Sequence, residues 1–278
     1  MKAQYLFLPL ILGLLSAYSL IAANPVTVPA GVSHDDWGAL LQKYVDDQGL
    51  VAYGDWKSQP TDLQRLNDYL AQFATASNSP ATGDEAAASL INLYNALTVR
   101  TILENYPLNS IQSLAKPFET KRLTVSGEEI SLNDIEHNTL RPSIGYRAHA
   151  VLVCAARSCP PLQRFAYENE TLNPQIASVY RTWLGRKDLN LFVPDEKTAE
   201  ISSIFSWFEV DFIQAGGTRK ILAEYGPDNV KEFLSGKDYE ITYMSYNWGL
   251  NDQGAQGRSY SRIRMLWDRI LDILTFWK

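Results

Sequence analysis

The chain has 278 residues, 46% of them hydrophobic and 20% charged, with a formal net charge of −6. That balance describes a globular protein with a real core and excludes a disordered chain. The acidic balance argues against nucleic acid as a partner, and neither GxxxxGK(S/T) nor GxGxxG occurs to mark a nucleotide site.

In chain order, Lys2 precedes an apolar run, Tyr5–Ala23, that ends in small residues. This is the plan of a secretory signal over residues 1–23, although Ile21 stands where a small residue is preferred. The run is also nearly long enough to span a bilayer as an uncleaved signal anchor. Either way the folded part is expected to be exported, to the periplasm or to a membrane-associated place in the cell envelope. Ser33 can cap a helix over Asp36–Val45, with Trp37, Leu40, Leu41, Tyr44 and Val45 on one face. His34, at its entrance, reads as an exposed capping-region side chain. Leu50–Tyr53 is a short strand, and an amphipathic helix follows Pro60 with Leu63, Leu66, Leu70 and Phe73 inward.

Thr82 and Glu85 form a capping-box pattern opening a long helix, Asp84–Asn105, whose stripe is Leu90, Leu93, Tyr94, Leu97 and Ile102. Asn92 and Asn95 lie within it. A buried amide must find hydrogen-bond partners, so each is expected to orient a site group or to tie a neighbouring loop. Pro107 ends the helix. Arg122–Val125 and Glu128–Ser131 flank Ser126-Gly127 as a hairpin. Ser131 caps a short helix, Leu132–Leu140, stopped by Pro142.

Two of the three histidines and both cysteines fall between residues 132 and 162. Thiol, imidazole and carboxylate are the parts of a nucleophilic site. Cys154 is the expected nucleophile. Glu136 and His137 are about 100° apart on a helix, so one can touch the reacting group while the other stands behind it. Arg147–Val153 reads as a buried strand. Strand side chains alternate, which puts His149 and Cys154 on opposite faces, makes His137 the better base and leaves His149 in reserve. Arg157 can lower a thiol pKa, and the backbone of Ala155–Pro161 can supply an oxyanion hole. Cys159 follows Cys154 by five positions, and an exported protein can join such a pair as a disulfide. His137, His149, Cys154 and Cys159 lack a recognisable zinc spacing, so no metal or other cofactor is expected.

Further on, Pro174–Trp183 reads as a helix, Asn190–Val193 with Thr198–Ser202 as a hairpin, and Ser203–Phe212 as an aromatic helix. Trp207 and Phe208 on it are expected in the core. Two short helices, Lys220–Tyr225 and Asp228–Leu234, precede a last strand, Tyr239–Tyr243. Residues 252–257 read as a linker, most clearly Gln253–Gly257. Within the tail, 258–278, Arg262–Trp277 is an amphipathic helix suited to packing back, to a membrane surface or to a protein partner.

The runs INLYNAL (Ile91–Leu97), IEHNTLR (Ile135–Arg141), HAVLVCAARSCPPL (His149–Leu162) and YNWGLN (Tyr246–Asn251) resemble the bacterial domain-of-unknown-function family 547. The resemblance runs from Trp37 to Asn251. It implies a single α+β domain over residues 24–251, with helices packed on a small, mostly antiparallel sheet as in papain and transglutaminase. It also implies a Cys-Glu-His constellation, which falls on Cys154, Glu136 and His137. Plant relatives carry serine where Cys159 stands, which favours Cys154 as nucleophile. Asn247 replaces a usual aspartate and Gly249 a usual serine. Three functions are therefore carried forward. One is a thiol-dependent hydrolase or acyltransferase acting on a peptide or amide substrate. The second is a non-catalytic envelope binding module, and the third a thiol-redox protein using Cys154 and Cys159.

Overall fold

The structure, a computed structural model, describes residues 24–74, 79–236 and 238–258. The signal expected over 1–23 and the helix expected over Arg262–Trp277 lie outside the described residues. Among those residues no helix is long and apolar enough to cross a membrane.

The chain folds around α4 (Gly83–Asn105), 23 residues long and buried continuously from Ala87 to Val99. A one-sided stripe was expected, yet the whole circumference is covered. The positions off the stripe are small or self-satisfying: Thr101 Oγ1 donates to the Leu97 carbonyl at 2.8 Å, and the amides of Asn92 and Asn95 bond the backbone of other segments. Such a helix can be wrapped on all sides with few orphaned polar groups, Thr98 Oγ1 being one that is buried without a partner.

Three helices precede it: α1 (Asp35–Tyr44), α2 (Tyr53–Lys57) and α3 (Pro60–Ala71). They meet through large rings, with Trp37 stacked on Tyr69 and Tyr44 on Trp56. His34 is not the exposed side chain its place at a helix entrance suggests. It is buried, with Nδ1 3.0 Å from the Tyr69 hydroxyl and Nε2 3.2 Å from Ser89 Oγ. Burial lowers its pKa to about 4. Leu50–Tyr53 is also not a strand. Val51 makes isolated bridges to Val45 and Asp252, and Tyr53 already begins α2. Thr82 makes no side-chain cap, and the Glu85 carboxylate accepts the Gly31 N–H.

After α4 comes the expected hairpin, β1 (Leu123–Val125) and β2 (Glu128–Ile130), turning through Ser126 and Gly127 at positive φ. Next are α5 (Leu132–Ile135), a π-helical turn Glu136–Leu140, α6 (Arg141–Ile144), α7 (Ala148–Val151) and α8 (Leu172–Gly185). Strands β3 (Leu191–Val193) and β4 (Thr198–Ile201) pair antiparallel, and β5 (Glu240–Tyr243) joins β4 in parallel. A parallel pair needs a crossover. It runs through α9 (Ile204–Trp207), α10 (Glu209–Gln214), α11 (Thr218–Tyr225) and α12 (Lys231–Ser235). The aromatic helix expected over Ser203–Phe212 is therefore two helices, broken at Phe208. The result is α+β, with two small open sheets and one continuous core from Val28 to Leu250.

Residues Gln253–Gly257, expected as a linker, are tied to the domain. The Gln253 amide donates to the Tyr44 and Leu50 carbonyls, and Gly257 N–H donates to Asn109 Oδ1.

Candidate functional site

Two neighbouring residues of α4 hold the site segments. Tyr94 donates its hydroxyl hydrogen to Glu136 Oε2 at 3.1 Å. Burial, with Glu136 adding to it, keeps that phenol well above its usual pKa, so it acts as a donor. Asn95 gives its Nδ2 to the Val151 carbonyl at 2.8 Å and accepts the Val153 N–H at 2.9 Å. Asn92 grips the backbone of Tyr167 in the same two-handed way.

The Asn95 grip explains why the strand expected over Arg147–Val153 does not form. An apolar run this short fits a buried strand or a buried helix turn equally. Here Ala148–Val151 makes one helical turn, and the amide satisfies the following backbone in place of a partner strand. The argument that set His149 and Cys154 on opposite faces therefore falls.

The helix expected to stop before Pro142 instead continues by widening. Arg141 N–H reaches the Glu136 carbonyl, one residue further back than in an α-helix, and Thr139 Oγ1 takes the Asp134 carbonyl at 3.0 Å. Proline sits in the first turn of α6, where its missing N–H costs nothing. Such widened turns concentrate at functional sites.

This turn carries Glu136, His137 and Arg141 into one polar cluster. Arg141 is paired with Asp211 through Nε at 2.7 Å and Nη2 at 3.3 Å, and its Nη1 donates to His137 Nδ1 at 2.8 Å. Buried His149 donates Nε2–H to Asp211 Oδ2 at 2.7 Å, and its ring stacks on Phe208 at 4.1 Å. The His149 hydrogen bond, with the Arg141 guanidinium, holds the Asp211 carboxyl far below the usual carboxylate range, although desolvation opposes it. His137 keeps a solvent-exposed edge. Desolvation by the protein on its other side lowers its pKa; Glu136 opposes this and Arg141 adds to it.

The cysteines lie on the neighbouring loop. Cys154 is half-buried, Cys159 is buried, and the two are joined as a disulfide with Cα atoms 6.5 Å apart. Cys154 N–H donates to Cys159 Sγ, and the Tyr246 hydroxyl lies 3.3 Å from Cys154 Sγ and 3.1 Å from Cys159 Sγ. Ala155, the next residue, has a φ of +60°, strained for a side-chain-bearing residue. Residues 155–158 pair with 247–251: Arg157 N–H donates to the Gly249 carbonyl and Asn251 N–H to the Ala155 carbonyl. Asn247 accepts the Gly249 N–H at 2.9 Å, so it shapes this segment.

A comparison with family models matches residues 79–184 to the family described as "Protein of unknown function, DUF547". This segment, a little over a third of the chain, is similar to the DUF547 family. No curated protein and no solved structure matches the chain. The DUF547 segment runs from just before α4 to the end of α8 and includes three of the four sequence runs; YNWGLN lies beyond it.

Within the DUF547 segment the structure does not join the expected residues directly. Glu136 is engaged by Tyr94, His137 by Arg141 and Cys154 by Cys159 and Tyr246; among the described residues neither histidine hydrogen-bonds Cys154. Arg157 turns away and donates to the Asp252 carbonyl. Among the described residues no three His, Cys, Asp or Glu side chains converge as a metal set. Sequence reasoning missed Tyr94, Arg141, Asp211 and Tyr246. Asp211 left a trace, since a carboxylate three residues after Phe208 and one before Phe212 sits on an apolar helix face and needs a cationic or N–H partner.

Proposed function

We infer that this protein is a thiol-dependent hydrolase or acyltransferase of the cell envelope, acting on peptide or amide bonds through reduced Cys154. One observation carries the reading. Adjacent residues of α4 fix both halves of the site, Tyr94 holding Glu136 and Asn95 holding the backbone between His149 and Cys154. In a chain with three histidines, that places two of them, two carboxylates and an arginine beside the segment leading to a half-buried sulfur.

The disulfide is the resting form in this reading. A dithiol reductant delivers two electrons and two protons to the disulfide and frees both thiols. Tyr246, already 3.3 Å from Cys154 Sγ, then donates to the thiolate and lowers its pKa. The thiolate attacks the carbonyl carbon. An S–C bond forms and the C–N bond breaks, its electron pair leaving on nitrogen, which takes a proton from solvent; water or an acceptor amine then cleaves the thioester and returns the thiol.

The test is alkylation of the reduced protein by iodoacetamide across pH, with Cys154 and Cys159 followed separately by peptide mass mapping. A thiol midpoint at Cys154 below the ordinary value of about 8.5, rising in Tyr246→Phe, supports the reading. Alkylation no faster than that of a free thiol removes it.

The pairing of Cys154 with Cys159 favours a second reading, thiol–disulfide exchange. Here Cys154, half-exposed, would take the attacking part and buried Cys159 the resolving part. Equilibration with defined thiol–disulfide buffers separates the two readings: an exchange protein turns over dithiol substrates, whereas a hydrolase shows only a single reductive activation.

A further inference from the structure

The hydrogen bonds around Arg141 decide what His137 can do. A guanidinium only donates, and a carboxylate without a proton only accepts. Arg141 Nη1 donates to His137 Nδ1, so that nitrogen carries the lone pair and the lone pair is already engaged. The ring proton of neutral His137 is therefore on Nε2. Nothing in this arrangement leaves His137 a free lone pair with which to take a proton from a thiol.

The arrangement is held from behind. Asp211 grips Arg141 through two hydrogen bonds and is itself fixed by Nε2–H of His149, whose side chain is 2% exposed. Exposure rises along the chain of contacts, from buried His149 through Asp211 and Arg141, whose side chains are 12% and 25% exposed, to the open edge of His137. The Phe208 ring braces the same group, stacked on His149 and lying 4.7 Å below the Arg141 guanidinium.

We propose that His137 is a hydrogen-bond donor and not the thiol's base: Arg141 presents it as a neutral imidazole whose Nε2–H meets the carbonyl oxygen of a bound amide or ester. Arg141, Asp211 and His149 are positioning residues for that donor. The inference rests on the thiol reading only for the identity of the acceptor oxygen, which becomes an oxyanion when the Cys154 thiolate adds to the carbonyl carbon. The charged and titratable groups acting on His137 are Glu136, Arg141, His149 and Asp211, and the lowered pKa agrees with a neutral ring.

Two reagents separate donor from base in the reduced protein. Iodoacetamide alkylates a thiolate without forming an oxyanion. p-Nitrophenyl acetate forms one as the S–C bond is made, and nitrophenolate then leaves with the C–O electron pair as the oxyanion collapses. For a donor, His137→Ala lowers acylation of Cys154 by p-nitrophenyl acetate about 10²-fold while the alkylation midpoint stays in place. His137→Gln, which keeps a neutral N–H, recovers part of the loss. Alkylation and acylation falling together in His137→Ala would overturn the proposal.

A readout independent of Cys154 keeps the inference apart from the proposed function. In full-length protein labelled with 15N-histidine, the His137 ring carries its proton on Nε2, and its midpoint rises in Arg141→Met. Arg141→Gln, whose amide can donate to Nδ1, returns it toward the wild-type position. A proton on Nδ1 of neutral His137, or a midpoint indifferent to Arg141, refutes the assignment even where Cys154 is reactive. The NMR result standing with an unreactive Cys154 would refute the hydrolase reading alone.

Discussion

Replacing Asn95 by leucine, close in shape but without polar atoms, strips the partners from the Val151 carbonyl and the Val153 N–H, which have the amide at 2.8 and 2.9 Å. Both groups are buried within the core. An orphaned buried polar group costs about 1–3 kcal/mol, so the variant, with two such groups, should lose about 2–6 kcal/mol. Asn92→Leu orphans the N–H and carbonyl of Tyr167 and should lose a similar amount. Urea unfolding of both variants gives the magnitudes. Iodoacetamide kinetics on reduced protein gives the functional contrast, because only Asn95 grips the segment that leads into Cys154. The expected result is two comparable losses of stability with altered Cys154 kinetics in Asn95→Leu alone. A loss below about 1 kcal/mol in both, or equal kinetic effects, would refute the reasoning. Asn95→Asp is a sharper case: it can still accept from Val153, but it cannot donate to Val151 and it adds a charge beside that carbonyl.

Three further outcomes follow from geometry elsewhere. His34 is neutral and buried with a pKa of about 4 against an ordinary 6.5, so the unfolded chain binds the extra proton between those values. Stability should be full above pH 6.5 and fall toward pH 4, by at most about 3 kcal/mol at 1.36 kcal/mol per pH unit; urea midpoints across pH check this, and His34→Asn should flatten the slope. Reducing the disulfide reopens a loop of about six residues, which chain entropy values at about 2 kcal/mol; unfolding with and without reductant measures it, and a loss above about 5 kcal/mol would contradict the loop argument. Gly49 has a φ of +76°, and a Cβ there would lie 2.6 Å from Pro161. Gly49→Ala should therefore destabilise by more than the roughly 1–3 kcal/mol of backbone strain alone, and thermal unfolding would show it.

What the sequence made legible was local. The Ser131 cap, the Ser126-Gly127 hairpin, the helix after Pro60 and the helix ending before Pro107 each carry their cause within a few residues, and each is present. The errors arose where the cause was distant. Val51 pairs with Asp252, so a run that looked like a strand is a bridge to the far end of the chain. His34 looked like a surface cap until Tyr69 and Ser89 closed over it. The strand expected at Arg147–Val153 lost to a single amide on α4. Around the site the residue types were readable but their pairings were not. His137 and Glu136 are adjacent in sequence, yet one meets Arg141 and the other Tyr94. Asp211, which organises the two histidines, is 62 positions from His149.

The pairing of residues 155–158 with 247–251 also sets an order on synthesis. The ribosome makes the cysteine loop almost a hundred residues before Tyr246, whose hydroxyl touches both sulfurs, and before Gly249 and Asn251, which anchor the loop's backbone. Through that interval the growing chain carries two thiols without this cover. A chain arrested before Tyr246 should label with maleimide at both positions, whereas one extended past Asn251 should protect Cys159. A segment made late thus acts as a timing element for the chemistry of a much earlier one.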